Sequence, residues 1–115
     1  MGALTTHALN TMAGKPAVDL RIDLSIRERG AWRLLKTVRT NAQGRAPLLD
    51  AVEMQGTQYE LTFHVGEYFA ALGVPQASPP FLDDVPIRFR IADVSAHYHV
   101  PLLMTPWSYS TYRGS

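Results

Sequence analysis

The chain has 115 residues, a formal net charge of +1, 46% hydrophobic residues and 18% charged residues. This size and balance predict one folded domain spanning 1–115 rather than a disordered chain. A charge so close to zero gives no reason to expect nucleic acid or an acidic membrane as a partner. The absence of cysteine excludes disulfides and thiolate metal sites.

The chain shows no membrane or export signal. No stretch approaches the roughly 20 apolar residues that are needed to cross a bilayer. Residues 1–13 lack the basic start and continuous apolar core of a signal peptide. We therefore expect a cytoplasmic protein, or a periplasmic one if a signal peptide has been removed.

Alternation of apolar and polar residues dominates the chain and predicts about eight short β-strands. The clearest run begins at Val18 and continues to Ile26, with every second residue apolar. In chain order, the predicted strands are 4–10, 18–26, 32–40, 46–49, 59–65, 85–92, 96–103 and 108–113. Turn-forming residues at 13–16, 28–30, 41–44 and 105–107 separate several of them.

One short helix is predicted at 67–72, where Tyr68, Phe69 and Leu72 share a face at helical spacing. Many short alternating strands with a single helix on a connection favour an all-β sandwich of two sheets.

The four histidines differ in what their positions predict. His64 alternates with core residues on its strand, and we interpret it as solvated. His7 lies on a weakly amphipathic strand, and alone it would be a packed or surface residue. His97 and His99 are about 7 Å apart along one strand face, given a rise near 3.3 Å per residue. They could bind a metal, form structural hydrogen bonds, or transfer protons near neutral pH.

The end of the chain, 97–115, is rich in aromatic and β-branched residues, which a disordered tail would lack. Its run LLMTPWSYSTYRGS at 102–115 resembles the C-terminus of the transthyretin-related 5-hydroxyisourate hydrolases. LTTHALN at 4–10, followed by GKPA at 14–17, is similar to the opening strand of that family, and RTNAQGR at 39–45 resembles its third block. Three separated blocks match in the right order, and the resemblance covers nearly all of the chain.

The resemblance implies a transthyretin-like β-sandwich of two four-stranded sheets with one short helix. It also implies a cyclic amide hydrolase that converts 5-hydroxyisourate to 2-oxo-4-hydroxy-4-carboxy-5-ureidoimidazoline in purine (urate) catabolism. The family forms a homotetramer with active sites where two dimers meet. A histidine that removes a proton from water makes a metal or other cofactor unnecessary for this reaction.

The resemblance also assigns roles to particular residues. One departure from the family pattern is Gln43, where an acidic residue is common before Gly-Arg. The implied catalytic residues are His7, Arg45, His99 and Ser115, and the implied substrate-binding residues are His97, Tyr112 and Arg113.

Two other functions remain open at this point. A small-ligand carrier of the transthyretin type would have an apolar pocket and incidental histidines. A metal protein would use His97 and His99 with a further ligand from elsewhere in the chain.

Overall fold

The computed structural model describes residues 2–114, which form two stacked β-sheets and one helix. This arrangement confirms the predicted all-β sandwich. The elements are β1 (Ala3–Asn10), β2 (Lys15–Pro16), β3 (Arg21–Glu28), β4 (Ala31–Arg39), β5 (Arg45–Leu49), β6 (Gln58–His64), α1 (Val65–Ala71), β7 (Asp84–Arg90), β8 (His97–Met104) and β9 (Tyr109–Thr111). None of the helical structure in 2–114 has the length and apolar character of a membrane-spanning segment.

The first sheet has the strand order β2-β1-β8-β9, and β5 also pairs with β1. The short strands β2 and β5 share one edge of β1, so this sheet holds five strands rather than the expected four. β1 and β8 run parallel, which places Thr5 opposite His99. The second sheet has the expected four strands, in the antiparallel order β4-β3-β6-β7.

The alternation on β1 and β8 decides which side chains face the core. On β8, Tyr98, Val100 and Leu102 are buried between the sheets. Successive side chains of a strand point to opposite faces, so His97 and His99 lie on the outer face of the first sheet. The same parity on β1 places His7 on this outer face. Burial of Tyr98, Val100 and Leu102 holds β8 in register, because each fully buried large apolar side chain contributes about 1.5–3 kcal/mol to stability.

Two local predictions about core faces are wrong. The predicted strand at 18–26 begins only at Arg21, because Asp19 adopts a left-handed backbone with φ of 60°. Val18 is consequently 48% exposed instead of buried. In the helix, Leu72 is 51% exposed, and the buried face consists of Val65, Tyr68 and Phe69. The helix begins two residues earlier than predicted, directly after β6, and ends at Ala71, so Leu72 is its C-cap rather than part of its buried face.

The interpretation of His64 as solvated is also wrong, since this residue is only 8% exposed. Its Nδ1 lies 2.9 Å from Oδ1 of Asp84 and its Nε2 lies 2.8 Å from Oδ2 of Asp23. Thr37 donates a further hydrogen bond of 2.7 Å to Asp23, so the row crosses all four strands of the second sheet. Ionised carboxylates only accept hydrogen bonds, so each ring nitrogen of His64 lies against an acceptor.

We expect His64→Phe to lower the free energy of unfolding by about 2 kcal/mol, because it removes two charge-assisted hydrogen bonds. Burial acts to raise the pKa of the Asp23 carboxyl, but hydrogen bonds from Thr37 and His64 outweigh burial and lower it. The contribution of Asp23 is thus present above its unfolded pKa of about 3.9 and is lost as the pH falls through the lower folded pKa. Urea unfolding at pH 7 measures the stability lost in His64→Phe, and urea unfolding at pH 3 measures the loss of the Asp23 contribution.

Arg33→Gln is the matched control, because it removes the ion pair of Arg33 with Glu28 on the exposed surface of the same sheet. Its effect on the urea midpoint is expected to be much smaller. An unchanged midpoint in His64→Phe at pH 7 would show that the buried row does not stabilise the fold.

Candidate active site

The outer face of the first sheet brings together four of the seven predicted site residues. His7 on β1 lies opposite Arg45 on β5, and His97 and His99 project from the neighbouring strand β8. Thr5, which the sequence analysis did not select, lies between them on β1. We call this set, Thr5, His7, Arg45, His97 and His99, the histidine face.

The His7 ring is fixed by the turn that precedes β5. Its Nε2 lies 2.9 Å from the backbone carbonyl oxygen of Gln43. A carbonyl oxygen only accepts, so Nε2 carries a proton and the neutral ring keeps its lone pair on Nδ1. Gly44 is required in this turn, because it has a φ of 75° and an added Cβ would lie 2.4 Å from a carbonyl oxygen of β1. The contact uses the backbone of Gln43, so its departure from the family pattern leaves the contact intact.

The His99 ring is held from two sides. Its Nδ1 lies 2.8 Å from the hydroxyl oxygen of Thr5, and its centroid is 6.4 Å from that of His7. On the other side, the Gly114 amide donates a 2.7 Å hydrogen bond to the His99 carbonyl. A Cβ at Gly114 would lie 2.6 Å from Cδ2 of the ring, so a larger residue here would force the ring or the backbone to shift.

The electrostatics of this face favour a neutral His99. Burial lowers the pKa of His99, and the positive charge of Arg45 together with neighbouring His7 and His97 lowers it further. Within residues 2–114, the Arg45 guanidinium forms no ion pair, which leaves its charge facing the histidines. His99 is therefore an uncharged imidazole at neutral pH and is able to accept a proton.

We expect Arg45→Gln to raise the pKa of His99, since removing a nearby positive charge makes protonation easier. Titration of the His99 ring by NMR measures the shift in the free protein. Arg88→Gln is the control, because Arg88 lies on the second sheet, where it pairs with Glu60. A His99 pKa that is equal in wild type and Arg45→Gln would contradict the electrostatic contact.

The tail residues Tyr112 and Arg113 lie elsewhere. The Arg113 guanidinium carbon is 4.1 Å from the ring centroid of Tyr98, a residue of the core side of β8, and its Nη2 donates to the His97 carbonyl at 3.2 Å. Tyr112 and Arg113 line a pocket of about 250 Å³ with Phe89 of β7. The structure does not bring their side chains to His7 and Arg45, and their role as substrate-binding residues stays a prediction. Ser115, the fourth predicted catalytic residue, lies outside the described residues.

Thr5 and Gly114 are the two contact residues that the sequence analysis did not select. The sequence does contain a signal for Thr5, because it precedes His7 by two residues and both side chains therefore lie on the same face of the strand. No group of three His, Asp or Glu side chains in 2–114 is placed to hold a metal ion. Instead, His97 and His99 both approach the hydroxyl of Thr5, with His97 Nε2 at 3.4 Å.

The fold and the histidine face define a transthyretin-like β-sandwich that carries a titratable polar site on one sheet. The chain belongs to the HIUase/Transthyretin family, whose model matches residues 4–114. This membership confirms the resemblance that the three sequence blocks indicate.

Relatives and solved structures agree with this assignment. The chain is 56% identical to a 5-hydroxyisourate hydrolase of Ralstonia nicotianae over 100% of both chains. The structure of a Klebsiella pneumoniae 5-hydroxyisourate hydrolase matches with a TM-score of 0.83 and 34% identity over 100% of both chains. A crystal structure of (S)-allantoin synthase matches with a TM-score of 0.90 and 47% identity, over 99% of this chain and 44% of that chain. This chain thus spans less than half of that synthase.

Proposed function

We propose that this protein hydrolyses 5-hydroxyisourate to 2-oxo-4-hydroxy-4-carboxy-5-ureidoimidazoline, a cyclic amide hydrolysis of purine (urate) catabolism. The observation that carries the proposal is the pairing of His7 and His99 on one sheet face, with centroids 6.4 Å apart and Arg45 opposite His7. Full-length identity of 56% to a protein named for this activity supports the choice of substrate.

In the proposed mechanism, neutral His99 removes a proton from a water molecule as the water oxygen bonds to the ring carbonyl carbon. The C–N bond of the ring then breaks, and the leaving nitrogen takes a proton from Nδ1 of the second histidine, His7, which acts in its protonated form. His99 then releases the proton taken from water and His7 takes one up, so both rings return to their starting states. With ring centroids 6.4 Å apart, both rings are close enough to act on one bound substrate.

Arg45 is proposed to orient the flat substrate and to stabilise the oxyanion that forms on the attacked carbonyl. A planar guanidinium with several N–H donors suits this task better than a lysine ammonium does. His97, Tyr112 and Arg113 are proposed to bind substrate, and Ser115 to complete the catalytic set.

We further propose a homotetramer in which the histidine face is covered at the contact between two dimers. His97 and Arg45 are exposed in the single chain, so this face is open to a partner. A two-fold axis would place equivalent residues of two subunits next to each other. Light scattering coupled to size exclusion tests the assembly, and a monomer that is fully active would contradict it. A cytoplasmic location likewise stays a prediction.

The deciding experiment follows the near-ultraviolet absorbance of freshly made 5-hydroxyisourate with and without the protein. Faster decay that scales with protein concentration supports the hydrolase. Saturable binding without faster decay would instead favour the transthyretin-type carrier.

Turnover should not change after treatment with a strong chelator. The reason is that His97 and His99 have Thr5 as their shared partner, and no third ligand group joins them among residues 2–114. Turnover is measured before and after dialysis against EDTA, with untreated protein as the control. Inactivation that added zinc reverses would favour the metal protein.

A further inference from the structure

The hydroxyl of Thr5 is shared by two histidine rings of the histidine face. Its oxygen lies 2.8 Å from Nδ1 of His99 and 3.4 Å from Nε2 of His97. Within residues 2–114 these two ring nitrogens are its hydrogen-bond partners. The three side chains therefore form one short chain of polar contacts, His97–Thr5–His99, along the edge where β1 meets β8.

A hydroxyl has one proton to donate, so Thr5 cannot donate to both rings. If Thr5 donates to His97, it accepts from Nδ1–H of His99, and the lone pair of neutral His99 lies on Nε2. If Thr5 donates to His99, the proton of the neutral ring lies on Nε2 instead. In both arrangements Nδ1 of His99 is occupied, and Nε2 is the nitrogen left for water or substrate.

We propose that Thr5 is a positioning residue that holds the proton of His99 on Nδ1 and leaves the lone pair on Nε2, with His97 as the acceptor that orients its hydroxyl. The base role of that lone pair rests on the proposed function. The arrangement follows the common logic in which a catalytic base is oriented by a third group.

The charges around the two rings bear on this arrangement. Arg45 on β5 and His7 on β1 face His99, and together with burial they lower its pKa and keep the ring neutral. A neutral imidazole carries its one N–H proton on either Nδ1 or Nε2, and Thr5 selects between these two tautomers. His97 acts through Thr5, by accepting the proton of its hydroxyl.

The test compares wild type, Thr5→Val, Thr5→Ser and the control Thr6→Val. Valine has nearly the shape of threonine and suits a strand, but it lacks the hydroxyl. Thr6 is the adjacent residue of β1, and its hydroxyl donates to the Val100 carbonyl at 2.7 Å on the core side. Thr6→Val thus repeats the substitution on the same strand without touching either histidine.

The first readout is the tautomer of His99 in the free protein, from long-range proton–nitrogen correlation spectra at neutral pH. His99→Asn identifies the signals. We expect the proton on Nδ1 in wild type, Thr5→Ser and Thr6→Val, and a shift towards the Nε2–H tautomer in Thr5→Val. A wild-type His99 with its proton on Nε2 would overturn the proposal, whether or not Thr5→Val folds.

The second readout is turnover of 5-hydroxyisourate. We expect kcat of Thr5→Val to fall about 10²-fold with a smaller change in KM, because a poorly aligned base acts on the transition state. Thr5→Ser should restore most of kcat. Equal tautomers and equal kcat in wild type and Thr5→Val would refute the positioning role, as would an equal loss of kcat in Thr6→Val. Absence of turnover in wild type would refute the hydrolase instead, and the tautomer readout would still decide the role of Thr5.

Discussion

His7→Asn and His99→Asn should each lose nearly all turnover of 5-hydroxyisourate while the β-sandwich stays folded. Each change removes a group that transfers a proton, and one such group typically contributes 10²–10⁴-fold to the rate. Both rings lie on the outer face of the first sheet rather than in the core, and asparagine keeps a polar side chain there. A turnover assay measures the loss of activity, and circular dichroism checks that the β-sandwich is still folded.

His64→Asn is the matched control, because it makes the same substitution on the second sheet, away from the histidine face. We expect this variant to be less stable than wild type, since Asp23 and Asp84 lose their shared partner, yet to retain turnover below its melting temperature. If His7→Asn and His99→Asn both hydrolyse the substrate near the wild-type rate, neither histidine performs the proposed proton transfer.

Deletion of 112–115 should abolish catalysis with little change in secondary structure. Strand β9 ends at Thr111, so its pairing with β8 is retained. The deletion removes the Gly114 amide that bonds the His99 carbonyl and the backbone that packs against the His99 ring. A displacement of the ring near 1 Å can cost about 10²-fold in rate.

Two point variants separate the parts of this effect. Gly114→Ala places a methyl group against the His99 ring and is expected to lower turnover with the tail still present. Arg113→Ala removes the contact with Tyr98 and retains the Gly114 amide. Full activity of the four-residue deletion, measured beside circular dichroism, would exclude the tail from the site and weaken the hydrolase proposal.

Much of the sandwich could be predicted because alternation records which face of a strand is buried. This signal placed the outer-face residues of β8 correctly, including His97 and His99. It failed where the local backbone departs from a regular strand, as at Asp19, whose left-handed φ leaves Val18 exposed. Positive φ is uncommon for every residue except glycine, and although it is enriched at Asp and Asn, the presence of Asp19 alone does not predict it.

Contacts between strands were beyond the reach of the sequence pattern. His64 does point away from the core, but Asp23 and Asp84 from the two adjacent strands cover it. Their positions opposite His64 depend on the register of three strands, which alternation does not define. Spacing places Thr5 on the same strand face as His7, but its contact with His99 depends on how β1 pairs with β8 and could not be predicted. The family resemblance did assign roles to His7 and His99.

The parallel pairing of β1 with β8 has a consequence for how the protein is made. Thr5 and His99 are 94 positions apart, so their contact forms only after a long loop closes, and such non-local pairing slows folding. At synthesis rates of about 5–20 residues per second, β1 leaves the ribosome about 5–20 seconds before β8. During this interval β1 has no β8 to cover its edge, which exposes it to pairing with other chains. We therefore expect nascent chains to depend on chaperones until β8 emerges, and the histidine face to be among the last parts of the molecule to assemble.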